Sequence, residues 1–290
     1  MTQKYKSPTR SGVAVLIGRS NVGKSTLLNM IVGTKVAITT PKPQTTRMPI
    51  QGILTRDRAQ IIFVDTPGVL KKTRDILTRM MVEGIHDSLE GVDLVLYVVD
   101  PTREIGEEEQ YALHIIESID RPKILIINKI DLKNTPYLVE YRFLTDRFDD
   151  LVEVSALCGT HVGTLVKKII RLLPEGEFLY PEQQLTNIPN RLWMAELIRE
   201  KLFLQLRQEL PYSANVEVTV LEERENGVLY IAATILTTSE RYQRMIIGKK
   251  GQVVKEIGQA ARREMEVATN SKIYLDLDVR VDPHWMERFY

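Results

Sequence analysis

The sequence predicts an α/β domain, a mostly parallel sheet with helices on both faces, followed by a smaller α+β domain of element order α-β-β-α-α-β. Three observations predict this. Apolar runs at Val13–Ile17, Ile61–Val64, Leu94–Val99 and Lys123–Ile127 read as strands buried on both faces. The first of them leads through Gly18–Ser25, a match to G-x-x-x-x-G-K-[ST], into the helical stretch Thr26–Ile31. Beyond Pro174 the pattern changes to amphipathic helices and alternating strands.

The loop after the first strand reads Gly18-Arg19-Ser20-Asn21-Val22-Gly23-Lys24-Ser25. Its glycines let the backbone curl around a triphosphate, so that N–H groups and a helix N-terminus face the anion. Lys24 is placed to reach the β- and γ-phosphates, and the Ser25 hydroxyl to ligate Mg²⁺. The loop residues and Thr26 are the candidate phosphate contacts. The next strand, Ile61–Val64, delivers Asp65-Thr66-Pro67-Gly68. Asp65 is expected to hold Mg²⁺ through water, and the Gly68 N–H to sense the γ-phosphate. Between the two lies Thr39–Arg47, polar, Pro-rich and aperiodic, a mobile loop by composition. One of its threonines, Thr45 or Thr46, is expected to complete the Mg²⁺ shell in the triphosphate state, and its release would switch the loop.

Leu94–Val99 is a core strand, and Lys123–Ile127 ends in Asn128-Lys129-Ile130-Asp131. A carboxylate just past such a strand accepts two hydrogen bonds from guanine, at N1–H and the exocyclic amine, and adenine offers neither donor there. A site built on a buried hydrogen-bonding group rejects the analogue that cannot pair with it. Asp131 is therefore the specificity residue, Asn128 braces the loop, and the Lys129 stem lies along the base. The strand Leu151–Val154 leads into Ser155-Ala156-Leu157, where the Ala156 N–H is expected at guanine O6. GTP and GDP are thus the expected ligands, and an ATPase is disfavoured. Val69 follows Gly68, where Ras-like GTPases carry a glutamine that orients the attacking water. Valine can do neither that nor stabilise charge, so slow intrinsic hydrolysis is expected.

Val162–Leu173 carries a helical apolar stripe stopped by Pro174, and 174–190 reads as a linker. Arg191–Gln208 is an amphipathic helix, Val216–Val220 and Val228–Leu236 are strands joined through Glu225-Asn226-Gly227, and Ser239 caps a short helix ending at Ile247. Gly248-Lys249-Lys250-Gly251 separates it from the helix Gln252–Ala268, and Ile273–Val279 alternates as a last strand. This order, with G-x-x-G between the central helices, resembles a bacterial-type (type II) KH domain, whose turn clamps single-stranded RNA. Between Glu240 and Arg263 seven Lys/Arg face two Glu, whereas 191–290 as a whole balances fifteen basic against fifteen acidic residues. The positive charge is therefore a patch, suited to a defined nucleic-acid path. Its candidate RNA contacts are Arg241, Arg244, Ile247, Gly248, Lys249, Lys250, Gly251, Lys255 and Arg262.

A P-loop GTPase domain followed by this KH arrangement resembles the Era family of ribosome-assembly GTPases, over about Gly12 to Val281. The domain division is then a tail at 1–11, a GTPase domain at 12–173, the linker at 174–190, a KH domain at 191–281 and a tail at 282–290. The resemblance implies binding to the 3′ end of small-subunit ribosomal RNA and to the pre-30S particle. It implies that GTP favours the RNA-competent arrangement of the two domains. It implies a cytoplasmic setting, with peripheral association with the inner membrane face attributed to the family. Within the family pattern the Mg²⁺-binding threonine immediately precedes an arginine, which favours Thr46 over Thr45. In related GTPases with an apolar residue in the place of Val69, an asparagine in the place of Asn21 binds K⁺, which stands in for an arginine finger. The alternative is that Asn21 only braces the loop. Lys24, Asn21, Thr46 and Gly68 are the residues expected to carry the chemistry. Ser20 stands where the family commonly has proline.

The chain has 290 residues, is 43% apolar and 27% charged and has a net charge of +1, which excludes a bulk polycation. A single cysteine, Cys158, excludes an internal disulfide, suits a reducing compartment and is expected to be a small packing residue. His86, His114, His161 and His284 are scattered and suggest no metal site. Met1–Lys6 has no apolar h-region, and no run approaches a membrane span. A monomer is the default expectation. The rival reading gives the basic patch a protein or acidic-lipid partner.

Overall fold

The computed structural model describes residues 9–69, 81, 83–85 and 87–288, so that Met1–Lys6, His86 and Phe289-Tyr290 lie outside the described residues. The chain divides into two compact units between Asn187 and Ile188.

In the first unit, β1 (Arg10–Ile17), β2 (Ile50–Arg56), β3 (Ala59–Asp65), β4 (Leu94–Val99), β5 (Lys123–Ile127) and β6 (Asp150–Glu153) form one sheet in the order β2-β3-β1-β4-β5-β6. Only β2 runs antiparallel to its neighbour. Every residue of β3 and β4 is buried, the state that continuous apolar runs require of a sheet covered on both faces. Each such Val, Ile or Leu contributes about 1.5–3 kcal/mol. Among the described residues the unit also carries helices α1 (Lys24–Val32), α2 (Glu107–Glu117), α3 (Leu138–Arg142) and α4 (Val162–Leu172), and residues 81, 83–85 and 87 are helical as well. α4 buries Val162, Leu165, Val166 and Ile169, the stripe read from the sequence.

The segment expected as a linker does not run free. Ser11 donates to Pro174 O (3.2 Å), and Gly176 to Thr9 O (3.1 Å). The wholly buried Gln60 side chain accepts from Leu179 N (2.8 Å) and Tyr180 N (2.9 Å) and donates to Tyr180 O (2.8 Å). Ile53 N of β2 donates to Leu185 O (2.8 Å), and Thr186 Oγ1 to Gln51 O (2.6 Å). β2 is an edge strand whose backbone groups need partners, and residues 185–186 supply them. Composition marked a linker because the segment has no period; a strap held mostly by backbone groups has none.

The second unit runs α5 (Asn190–Gln205), β7 (Ala214–Glu223), β8 (Leu229–Thr237), α6 (Glu240–Ile247), α7 (Gln252–Thr269) and β9 (Ile273–Val281). Its sheet has the order β7-β8-β9, antiparallel then parallel. The Ser239 hydroxyl caps α6 by accepting from Tyr242 N (3.4 Å). α5 ends three residues before the expected Gln208, because Leu206 turns extended to become buried and Gln208 takes a positive φ of 53°. A bulge separates Val218 from Val220, breaking the plain alternation read there.

The segment set apart as a tail at 282–290 carries Trp285, only 1% exposed, whose Nε1 donates to Ser213 O (3.2 Å). Trp285→Ala is expected to lower the stability of the second unit by about 3–5 kcal/mol. Urea denaturation followed by circular dichroism checks it; an unchanged midpoint would mean that the indole packs without consequence.

Candidate functional site

The nucleotide cleft follows from strand direction. Loops at the carboxyl ends of parallel strands gather at one edge of the sheet, and the point where strand order reverses opens a crevice. β1 lies between β3 and β4, so Gly18–Ser25 sits at that reversal, with Asp65 and Asn128–Asp131 following neighbouring strands. A cleft of about 400 Å³ is lined by Asn21, Lys24, Ser25, Thr46, Gly68 and Lys129, among others.

Lys24 is buried, and its Nζ donates to Gly18 O (3.0 Å) and Arg19 O (3.1 Å). Burial pulls its ammonium down from 10.5 to about 8, against the upward pull of Asp65 and Glu109. Asp65 is wholly buried; burial raises its carboxyl, with Lys24, Ser25 and Thr46 pulling the other way. Its Oδ2 accepts from Ser25 Oγ (2.5 Å) and Thr46 Oγ1 (3.3 Å), and those hydroxyls lie 3.0 Å apart. Asp65 Oδ1 is buried without a hydrogen-bond partner. Three converging oxygen side chains with an unsatisfied carboxylate oxygen suit a hard divalent cation such as Mg²⁺. Thr45 does not converge there: its hydroxyl meets Thr40 Oγ1 (2.7 Å) and donates to Lys42 O (2.7 Å).

Gly68 packs against the phosphate loop. A Cβ there would stand 2.6 Å from Ser20 N and Cα, so only glycine permits the approach. The Val69 side chain is fully buried in the core while its N–H donates to Gly18 O (3.1 Å), so it offers nothing to an attacking water. Asn21, exposed and at φ 64°, donates through Nδ2 to Pro41 O (2.7 Å), tying the phosphate loop to the threonine loop.

At the base end, Asn128 Nδ2 donates to Val22 O (2.8 Å) and its Oδ1 accepts from Ala156 N (2.9 Å). One amide thereby joins the two loops, and the Ala156 N–H expected at guanine O6 donates here to Asn128 Oδ1. Ser155 Oγ donates to Asp131 Oδ1 (2.6 Å) and accepts from Cys158 N (3.1 Å), orienting the carboxylate. Leu157 is 73% exposed. Cys158 is exposed too, which corrects the expectation of a packing residue: only its backbone N–H is drawn inward. Thr66 Oγ1 donates to Leu16 O (2.7 Å), so Thr66 serves the turn after β3.

Two charged residues absent from the sequence reading line a pocket that shares Ser20, Asn21 and Lys129 with the cleft. Asp100 accepts from Lys129 Nζ (2.6 Å), which holds the Lys129 stem in place, and the pairing keeps the Asp100 carboxyl below its ordinary range despite burial. Arg103 Nη1 donates to Ser20 O (2.8 Å). The signal for Asp100 was its place at the end of β4, equivalent to that of Asp65 after β3.

In the second unit, Gly248 ends α6 with φ 72°, where a Cβ would stand 2.9 Å from Val253 Cβ, and Lys250 takes φ 53°. The turn lifts Lys249 and Lys250 into solvent, and Arg241, Arg244, Lys255 and Arg262 are exposed as well, with Ile247 half-buried. Lys255 and Arg262 border a groove of about 360 Å³ between α7 and β9, floored by Val254, Gly258, Leu275 and Leu277. That apolar floor was not legible in the charges. Tyr274 lies at the groove and stacks on Tyr230 (5.9 Å), which carries Arg224 over its ring (4.1 Å).

Comparison with known proteins agrees with both units. The family described as "50S ribosome-binding GTPase" matches residues 13–129, and the KH domain matches 209–286. GTPase Era of Geobacter metallireducens is 45% identical over 97% of this chain and 95% of the relative. GTPase Era of Halothermothrix orenii is 40% identical over 96% and 95%. The chain belongs to the Era family of GTPases. Its first unit hydrolyses GTP to GDP and phosphate. A solved Era in complex with MgGDPNP and nucleotides 1506–1542 of 16S ribosomal RNA is 38% identical, with a TM-score of 0.91 over 97% of this chain and 96% of that one. A variant of Aquifex aeolicus Era bound to GDP and AlF₄⁻ is 38% identical with a TM-score of 0.89, covering 97% of each chain.

The depressed Lys24 sets a pH dependence for this Era-family site. The nucleotide-free lysine is neutral above about pH 8, and a bound polyphosphate requires the ammonium, so binding takes up a proton there. GDP affinity is expected to fall by about fivefold from pH 8 to pH 9. The fall should be missing in Lys24→Ala, which binds weakly at both. For folding the sign is opposite: the unfolded chain binds more protons between about pH 8 and 10.5, so the cost of burying Lys24 is relieved as pH rises. Titration calorimetry at the two pH values reads the binding slope.

Proposed function

We propose that the chain is an RNA-binding molecular switch of small-subunit assembly, timed by GTP hydrolysis. The observation that carries this is one chain holding both a complete phosphate-and-base cleft and an exposed Gly248-Lys249-Lys250-Gly251 turn beside an apolar groove. The RNA is the 3′ end of small-subunit ribosomal RNA, as in the solved relative, and the particle is the pre-30S subunit. Ser25 and Thr46 would hold Mg²⁺ directly and Asp65 through water. The metal supplies charge neutralisation on the β- and γ-phosphate oxygens. Lys24 and the loop amides hold phosphate charge, the Gly68 N–H senses the γ-phosphate, and water is positioned by backbone, since Val69 offers no polar group. Asp131, oriented by Ser155, reads guanine. GTP favours the RNA-competent state, and loss of the Thr46 contact on hydrolysis ends it.

No helix among the described residues is long and apolar enough to cross a membrane. Action as a monomer in the cytoplasm, with peripheral attachment at the inner membrane face, belongs to the same proposal.

Cross-linking to cellular RNA with a non-hydrolysable GTP analogue, followed by sequencing, tests the reading. Reads should concentrate at the 3′ end of small-subunit ribosomal RNA and diminish with GDP. Background reads would move the second unit toward a protein or lipid partner. Reversing Lys249 and Lys250 to Asp should weaken RNA binding on the order of 100-fold and leave GTP turnover unchanged; unchanged RNA affinity would sink the KH reading.

Potassium is part of this proposal, with Asn21 as its ligand in place of an arginine finger. Turnover should be faster in K⁺ than in Na⁺ buffer, and Asn21→Ala should remove the difference. Equal rates in the two buffers would leave Asn21 as a brace alone.

A further inference from the structure

Beside the phosphate loop lies a buried charged linkage that the mechanism above does not use. Glu109, in the first turn of α2, is only 1% exposed. It accepts from the hydroxyls of Tyr97 on β4 and Tyr141 on α3, the latter at 3.1 Å. Its Oε2 lies 3.5 Å from Nη1 of Arg19, the second residue of the phosphate loop. Arg19 also pairs through Nε with Glu108 (3.0 Å) and donates to Glu104 O (3.2 Å). Arg103 adds a bond to Ser20 O (2.8 Å). A buried carboxylate is retained at a cost unless it is paired and hydrogen-bonded, and every contact of Glu109 leads to the core or to Arg19.

The linkage grips the loop selectively. It holds Arg19, whose carbonyl accepts from Lys24 Nζ (3.1 Å), and Ser20, whose backbone meets Gly68; its side-chain bonds go to these two residues and not to the Gly23, Lys24 or Ser25 N–H groups at the start of α1, which cradle the inner phosphates. We propose that Glu109 is a positioning residue for GTP hydrolysis: through Arg19 it sets the part of the phosphate loop that meets Gly68, and so the geometry around the γ-phosphate, without setting nucleotide affinity. The inference rests on Gly68 as the γ-phosphate sensor.

The closing experiment separates the two. Glu109→Gln is nearly isosteric and removes the charge. At about pH 6.5, where Lys24 stays charged with or without the upward pull of Glu109, the variant is expected to lower kcat about tenfold while the KM for GTP and the affinity for GDP stay within about twofold. Arg19→Gln, at the more accessible end, should give the same kcat-only loss if Glu109→Gln folds poorly. The double variant should lose no more than the worse single one, because both remove one linkage. A folded Glu109→Gln with unchanged kcat, losses that multiply in the double variant, or a parallel fall in GDP affinity would overturn the positioning role. Amide hydrogen exchange at Gly68 in the unaltered protein tests the sensor by itself: equal exchange with GDP and with a non-hydrolysable GTP analogue would fault that reading, whereas exchange slowed by the analogue beside normal turnover in Glu109→Gln would fault only the inference.

Discussion

Burial of β1, β3, β4 and β5 on both faces is the constraint from which the first unit follows. Strands without a solvent face must be covered by helices, and parallel strands need long crossovers that return the chain to the same starting edge. Every loop leaving a carboxyl end therefore opens on the same side. Lys24, Asp65, Asp100 and Asp131 stand at or beyond the carboxyl ends of four strands, and the sheet gathers them along one edge. The chemistry is placed by hydrophobic burial before any polar contact forms.

Within that cleft the polar groups trade stability for ligand affinity. A buried lysine ammonium that faces only two carbonyl oxygens, and a buried aspartate with an unsatisfied oxygen, are both unfavourable as they stand. Polyphosphate and a divalent cation relieve both at once. Asn128, by contrast, is fully used: its amide joins Val22 to Ala156 and makes base recognition and phosphate binding one rigid element. The threonine loop meets the cation oxygens through Thr46 and the phosphate loop through the Asn21–Pro41 bond, contacts at its surface with the ligand site.

The second unit solves a different problem. A nucleic-acid path needs cations in solvent on a backbone that can approach phosphate closely, and Gly248 and Lys250 provide this by leaving the ordinary φ range. Trp285 closes the far end of the same unit, so the chain beyond β9 contributes to its core. A groove with an apolar floor and charged rim suits unstacked bases, whose faces are apolar and whose linkage is charged.

The sequence by itself determined the two units, the phosphate and base motifs and the basic turn, because each is written in contiguous residues: apolar runs of strand length, glycine spacing, a cap at Ser239. Whatever depends on residues far apart in the chain was decided by tertiary structure. β2 was not legible because an edge strand has no strong period, and the strap at 174–186 was not legible because its partners lie some 120 positions away at Gln60. Thr46 was preferred to Thr45 on pattern alone, whereas packing turns one hydroxyl toward Asp65 and the other toward Lys42. Asp100, Arg103 and Glu109 look like ordinary surface charges in the sequence. Only the fold pairs Asp100 with Lys129, Arg103 with the Ser20 carbonyl and Glu109 with Arg19, because a charge acquires its partner through three-dimensional contact and not through spacing.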